Sequence, residues 1–157
     1  MPKRIKVGDI IEIKTNKGLS YAQYTHKDDM MGILIHIFKE IYDERPENLD
    51  AVVKEEVQFS TFFPLGAAVN RKIFEVVGHS EISRKLQKFP LFRNAGLPGP
   101  DGVKVKDWWL WDGKKSWKVR KLTKKQRKLP IKGACNDTML IYRIETGYTP
   151  EKDPENP

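Results

Sequence analysis

The sequence IIEIKTNKGLSYAQY, residues 10–24, predicts a β-hairpin. Its first half is rich in isoleucine, and its second half alternates between apolar and polar side chains, which is typical of a strand. Asn16 and Gly18 lie between the halves and tolerate the positive φ angles of a tight turn. The next apolar stretch, GILIHIF at residues 32–38, is apolar on both faces, so we expect a strand buried on both sides of its sheet.

The rest of the chain predicts further strands and few helices. Strand patterns occur at residues 57–63, 73–77, 103–111 and 138–144. One short helix is expected after Ser80 and another between Leu122 and Leu129. Turn signals recur about every 10–15 residues, which favours antiparallel connections. We therefore predict a mostly β fold, a single antiparallel barrel or sandwich of about seven or eight short strands with one or two short helices.

The length of 157 residues is usual for one domain. We predict a single β-rich domain over residues 1–148 and a proline-rich tail at 149–157 that is too polar to order itself. The single cysteine, Cys135, fits a reducing compartment. Because we find no signal peptide and no long apolar segment, we expect a cytoplasmic protein.

The net charge of +8 is concentrated in one segment. Residues 114–128 contain nine cations and no anion, so the rest of the chain is close to neutral. An acidic stretch lies upstream, at residues 40–56. Such polarity bears on partners and on the rate of encounter rather than on the fold.

Few residues suggest catalysis. Asp9, Glu12 and Lys14 resemble part of a metal-dependent nuclease signature, although alternating charge on a solvent-facing strand explains the same residues and is the favoured interpretation. His36 lies within an apolar strand and is expected to be a neutral core histidine, and Cys135 a small buried thiol. The pattern indicates no metal site and no cofactor, so we expect a binding protein rather than an enzyme.

The basic segment suggests a second possibility. Four tryptophans occur within residues 108–117, close to or among the cations. Cations beside exposed aromatic rings can hold phosphates and stack on bases, and small β-barrels often bind nucleic acids. The same tryptophans could instead pack in the core, with the cations on a solvated surface.

The order of motifs resembles the Immunity protein 26 family of bacterial polymorphic toxin systems. The resemblance spans roughly residues 5–147. The motifs that carry it are Gly8-Asp9 before an apolar strand, Gly18 in a hairpin, a tyrosine-rich return strand at Tyr21 to Tyr24, Val77-Gly78, and Phe89-Pro90-Leu91-Phe92. The resemblance implies a mostly β cytoplasmic protein that binds and neutralises a toxin made by its own or sibling cells.

Two surfaces could contact a partner, and the sequence does not choose between them. The acidic candidates are Glu40, Asp43, Glu44, Glu47 and Asp50. The basic candidates are Lys118, Arg120, Lys121, Lys124, Lys125, Arg127 and Lys128. The leading hypothesis is stoichiometric inhibition of a cognate toxin, and the alternative is a nucleic-acid-binding module that uses residues 114–128.

Overall fold

Five antiparallel strands form the larger sheet of the computed structural model, which describes residues 4–95 and 107–153. They are β1 (Asp9–Thr15), β2 (Gly18–Asp28), β3 (Gly32–Phe38), β4 (Val57–Phe62) and β5 (Glu75–His79). Their order across the sheet is β4-β3-β2-β1-β5. The predicted hairpin is confirmed as β1 and β2, and Gly18 adopts a φ of 130° in its turn. A side chain at Gly18 would place its Cβ 2.7 Å from the carbonyl oxygen of Tyr42, so the position has room only for glycine.

Three further strands form a smaller antiparallel sheet. They are β6 (Phe92–Ala95), β7 (Trp108–Trp111) and β8 (Ser116–Val119), in the order β6-β7-β8. The turn between β7 and β8 uses Asp112, whose side chain accepts hydrogen bonds from the backbone N–H groups of Lys114 and Lys115. With eight strands in two antiparallel sheets over the described residues, the predicted mostly β class is confirmed.

Both faces of the larger sheet are covered. The helices are α1 (Leu49–Val52), α2 (Leu65–Asn70) and α3 (Asp137–Glu145). One face of the sheet packs against α2 and α3, and the opposite face packs against α1 and the smaller sheet. Because both faces of the sheet are covered, five of the seven residues of β3 are buried. This explains why β3 is apolar on both of its faces.

Phe62 at the end of β4 joins the two sheets. Its ring is fully buried, with its centroid 5.2 Å from the Phe92 ring and 6.0 Å from the Trp111 ring. Since Phe92 belongs to β6 and Trp111 to β7, the smaller sheet shares a core with the larger one.

One predicted strand, at residues 138–144, is wrong, because these residues lie in α3. The Asn136 side chain accepts a hydrogen bond from the backbone N–H of Met139 at 2.8 Å and caps the helix. Leu140 and Ile144 are buried four residues apart, whereas Met139 and Tyr142 are exposed. The apolar pattern therefore follows the period of a helix rather than that of a strand.

The predicted short helices are reduced to single 3₁₀ turns. One spans Arg84–Leu86 and the other Gln126–Lys128. The predicted strand at 73–77 begins and ends two residues later, as β5. Residues 103–106 of the strand predicted at 103–111 lie outside the described residues. The last four residues of that prediction, Trp108–Trp111, form β7.

The predicted disordered tail is corrected for residues 149–153. Pro150–Lys152 form a 3₁₀ turn, and Pro150 and Asp153 are buried. Pro150 accepts a hydrogen bond from the buried Arg93 guanidinium at 2.6 Å, and Asp153 accepts one from the Tyr148 hydroxyl at 2.6 Å. The bond from Arg93, 57 positions away, ties to the fold a segment whose own composition is too polar to order itself. The rest of the tail lies outside the described residues.

Candidate binding surfaces

Glu12 is a buried carboxylate on β1, the strand next to the edge strand β5 of the larger sheet. It is 5% exposed and accepts two hydrogen bonds from Arg45, at 2.7 Å from Nε and 3.1 Å from Nη2. The Tyr21 hydroxyl donates a third at 2.8 Å. The bond from Arg45 lowers the pKa of Glu12, against the opposing effect of burial, so the carboxylate is charged at neutral pH. Arg45 also contacts Glu75 at 3.5 Å.

Arg45 lies in the connection between β3 and α1, which we call the acidic loop and define as residues 40–50. Its ion pair with Glu12 fixes the middle of this loop to the sheet. Arg45 is the only cation of the loop, and its ion pairs are with Glu12 and Glu75 of the sheet. Within the described residues, Arg45 forms no ion pair with a carboxylate of the loop itself.

Tyr42 fixes the beginning of the acidic loop. Its backbone exchanges two hydrogen bonds with Leu19 of β2, at 2.7 and 2.9 Å, and its hydroxyl donates to the Glu55 carboxylate. Burial, together with the bond to Glu55, raises the pKa of Tyr42 to about 12. Burial raises the pKa of Glu55 as well. The end of the loop is fixed by Asn48, whose side chain caps α1.

The acidic candidates all lie on this loop and are exposed. None of the five takes part in an ion pair within the described residues. They are Glu40, Asp43, Glu44, Glu47 and Asp50. Sequence reasoning found the charges but missed the anchors Arg45, Tyr42 and Glu55. A single arginine among acidic residues was the available signal.

The basic segment, residues 114–128, covers β8 and the connection that follows it. Its seven candidate cations are all exposed: Lys118, Arg120, Lys121, Lys124, Lys125, Arg127 and Lys128. Lys118 pairs with Asp107 at 3.3 Å, and both side chains are more than half exposed. Leu122 is the one buried residue in the segment and packs beside Trp108 and Leu110. Thr123 and Gln126 exchange side-chain hydrogen bonds with each other's backbone, which shapes the following turn.

The four tryptophans divide into two buried and two exposed rings. Trp108 and Trp111 belong to the core, whereas Trp109 and Trp117 are 37% and 41% exposed. In the register of β7 and β8, Trp109 lies opposite Lys118 and Trp117 lies opposite Leu110. Paired residues point to the same face and successive residues to opposite faces, so the two exposed rings lie on opposite faces of the smaller sheet. A flat ligand could stack on one of them but not on both.

The three residues of the nuclease pattern do not converge. The alternative prediction of a solvent-facing strand is wrong for Asp9 and Glu12, because both are only 5% exposed. Asp9 accepts a hydrogen bond from the backbone N–H of Lys6 at 2.9 Å, and its Oδ1 lies 3.0 Å from His79 Nδ1. Asp9 and Glu12 are three residues apart on one strand, so their side chains point to opposite faces of the sheet. Within residues 4–95 and 107–153, no group of three or more His, Cys, Asp or Glu side chains is placed to hold a metal ion.

His36 and Cys135 are both partly or fully inside the protein. His36 Nδ1 contacts the Ser60 hydroxyl, and burial, with a smaller contribution from His26, lowers the pKa of His36 to about 3. The imidazole is therefore neutral at pH 7. Burial raises the pKa of the Cys135 thiol, whose sulfur lies 3.7 Å from Thr61 Oγ1. Neither residue has the environment of an activated base or nucleophile.

Comparisons with protein-family models, with curated proteins and with solved structures find no match to this chain. Among the described residues, the helices are too short and too polar to cross a membrane.

Proposed function

We propose that this chain is a cytoplasmic, immunity-type protein that binds a bacterial protein toxin and neutralises it by stoichiometric inhibition. The acidic loop carries the proposal. Five exposed carboxylates without ion-pair partners in the described structure lie on a loop whose beginning and middle are fixed by half-buried contacts and whose end is held by an exposed helix cap. The resemblance to the Immunity protein 26 family supports the same function.

A fixed loop favours a specific complex. Binding usually costs free energy because loops and side chains must be ordered at the interface. The ion pair of Arg45 with Glu12 and the hydrogen bond of Tyr42 to Glu55 hold the loop in place in the free protein. Less conformational free energy is therefore lost when a partner binds. A toxin that cleaves nucleic acid has a cationic substrate surface, and a fixed group of carboxylates can occupy it in place of phosphates.

Charge also affects the rate of association. Complementary charges steer two proteins together and increase the association rate constant, most strongly at low ionic strength. We therefore expect the complex to form faster as salt is lowered. The rate of dissociation depends on the short-range contacts and changes less.

The test is co-expression with the toxin encoded by the adjacent gene. We expect restored growth and a stable stoichiometric complex. A charge-reversed loop should weaken the complex about 100-fold or more, because like charges then meet at the interface. The reversed variant carries Asp43→Lys, Glu44→Lys and Glu47→Lys.

A matched variant reverses three charges in the basic segment, Lys124→Glu, Lys125→Glu and Lys128→Glu. It should protect cells as the wild type does. If only this variant loses protection, the basic segment is the toxin-binding surface and the acidic loop is not. If the wild type neither binds the toxin nor protects cells, the immunity function is wrong. Circular dichroism of both variants verifies that they are folded.

The second candidate function is nucleic-acid binding by the basic segment. The observation that favours it is the exposure of all seven candidate cations in a segment that also holds the exposed ring of Trp117. Binding to phosphates releases counterions, so affinity for an oligonucleotide should fall steeply with salt. Titration of the wild type and of the basic-segment variant at two salt concentrations tests this function. Absence of binding at low salt would exclude it.

A further inference from the structure

A cleft of about 430 Å³ lies at the outer edge of the larger sheet, next to β5. The chain enters β1 along this edge, so its N-terminal residues form one wall and β5 forms the other. The lining residues are Arg4, Lys6, Asp9, Val76, Val77, Gly78 and His79. Neither the acidic loop nor the basic segment contributes a residue to it.

His79 is oriented in this cleft by a buried carboxylate. The Asp9 side chain is 7% exposed, and the His79 side chain is 49% exposed. An ionised carboxylate can only accept hydrogen bonds, so the nitrogen that donates to Asp9 is Nδ1. Nε2 has no hydrogen-bond partner within the described residues. It lies beside Gly8, where this cleft meets a neighbouring one that His79 also lines. The second oxygen of Asp9 accepts the backbone N–H of Lys6, which fixes the carboxylate itself.

Gly8 allows the imidazole to lie against the backbone. Its φ is 100°, a backbone angle that residues with a side chain rarely adopt. A Cβ at this position would also lie 2.5 Å from His79 Cε1 and 3.0 Å from His79 Nε2. The Gly8 carbonyl also accepts the backbone N–H of Ser80 and so ties the two walls together. The position of His79 is therefore set by backbone geometry as well as by Asp9.

The charges lining the cleft favour an anion. Arg4 and Lys6 are exposed and form no ion pair within the described residues. The single carboxylate of the cleft, Asp9, is already bonded to His79 and to the Lys6 backbone. A guanidinium group and an ammonium group provide donors for the oxygens of a phosphate group, and the imidazole Nε2 provides an acceptor for its proton.

We propose that the cleft formed by Arg4, Lys6 and His79 is a phosphate-binding site. Arg4 and Lys6 donate to the phosphate oxygens. His79 Nε2 accepts the proton of a monoprotonated phosphate or, when the ring is protonated, donates to an oxygen. The ligand class is free phosphate or the terminal phosphate of a monoester. The site goes beyond the proposed inhibition of a toxin and uses different residues.

The test is an NMR titration of the full chain with inorganic phosphate. We expect amide shifts at residues 6–9 and 76–80, and about tenfold weaker binding for each charge-assisted contact that a variant removes. The variants are Arg4→Ala with Lys6→Ala, and His79→Gln alone. The control variant, Lys124→Ala with Lys125→Ala, should leave the shifts at the cleft unchanged.

Two further ligands identify the source of the phosphate. Adenosine monophosphate presents a phosphate monoester, and adenosine presents the same nucleoside without phosphate. Binding of inorganic phosphate, with or without the monoester, supports the site, and their relative affinities show which source is preferred. Binding of adenosine as tight as that of the monophosphate overturns it, as do shifts confined to residues 114–128 or unchanged affinity in the cleft variants. Toxin neutralisation does not depend on these residues, so failure of one proposal leaves the other testable.

Discussion

The acidic loop and the basic segment carry opposite charges, and they also differ in the contacts that fix them to the fold. The acidic loop is fixed by an ion pair to a buried glutamate, a hydrogen bond to Glu55 and a helix cap. The basic segment is fixed mainly by β-pairing at its beginning, by Leu122 beneath it and by a local exchange of hydrogen bonds. Its cations have almost no partners within the described chain.

The difference indicates two kinds of recognition. Charges on a fixed loop can match the positions of groups on one partner, because their spacing is set before binding. Charges on long, exposed side chains give attraction without fixed geometry, which suits a flexible or repeating polyanion. Inhibition of a toxin needs the first kind of surface.

The largest expected effect concerns the packing between the larger sheet, which holds the acidic loop, and the smaller sheet, which holds the basic segment. Phe62→Ala removes the ring that packs between the sheets, and we expect a loss of about 3–5 kcal/mol in the free energy of unfolding. All four tryptophans lie within residues 108–117, so fluorescence reports the smaller sheet and far-UV circular dichroism the whole fold. Urea transitions followed by the two signals should shift together. Separate transitions would show that the basic segment rests on an independent unit.

The next effect concerns the anchor of the acidic loop. Glu12→Gln removes the ion pair with Arg45 while keeping the size of the side chain, and we expect a loss of about 2 kcal/mol at pH 7. Glu44→Gln is the matched control, because Glu44 is exposed and forms no ion pair with any described residue, and its effect should stay within about 0.5 kcal/mol. Equal effects of the two substitutions would mean that the loop is not anchored through Glu12.

The stability difference between wild type and Glu12→Gln should depend on pH. The pKa of Glu12 is lower in the folded protein than its ordinary value of 4.5, so folding favours the charged form. The advantage of the wild type is therefore fully present above the unfolded pKa and decreases as the pH falls through the folded pKa. Urea denaturation between neutral and acidic pH measures this difference.

A smaller effect is expected at Tyr42. Tyr42→Phe removes the hydrogen bond to Glu55 and keeps the ring, including its edge-on contact with Tyr21, whose centroid lies 5.8 Å away. We expect a loss of about 1 kcal/mol in the free energy of unfolding. Hydrogen exchange at the amides of the acidic loop should become faster, while exchange in the basic segment stays the same. Unchanged exchange in the loop would show that Tyr42 does not fix it.

The smallest effect is expected from removing charge in the basic segment. Lys124→Ala combined with Lys125→Ala should change the free energy of unfolding by less than about 0.5 kcal/mol, because both side chains are exposed and without partners in the described structure. A clear gain in stability would mean that these cations repel one another in the folded state. In that case the two charges lower the stability of the fold.

The larger sheet could be predicted well because its information is local. The alternation in residues 10–24 and the run GILIHIF each define a strand without reference to distant residues. The prediction at α3 is wrong because the β-branched and aromatic residues in TMLIYRI favour a strand, whereas Asn136 caps a helix there. Propensity was overridden there by burial at a spacing of four residues.

The anchors of the candidate surface could not be predicted, because they join residues far apart in the chain. Arg45 and Glu12 are separated by 33 positions, and the bond that orders the tail, from Arg93 to Pro150, spans 57. A single sequence shows which side chains are charged, and the fold determines which charges are used internally. The acidic loop was therefore identified by composition, and its rigidity only by structure.

Because β8 is an edge strand of the smaller sheet, the cations near it affect how two copies of the chain can pair. A strand at a sheet edge has unpaired backbone groups that can bond to a strand of another molecule. Lys118 lies on β8, Lys114 and Lys115 lie just before it, and Arg120 and Lys121 lie just after it. A second copy pairing along this edge would bring these positive charges together at close range. This positive charge therefore opposes the pairing of two copies along β8.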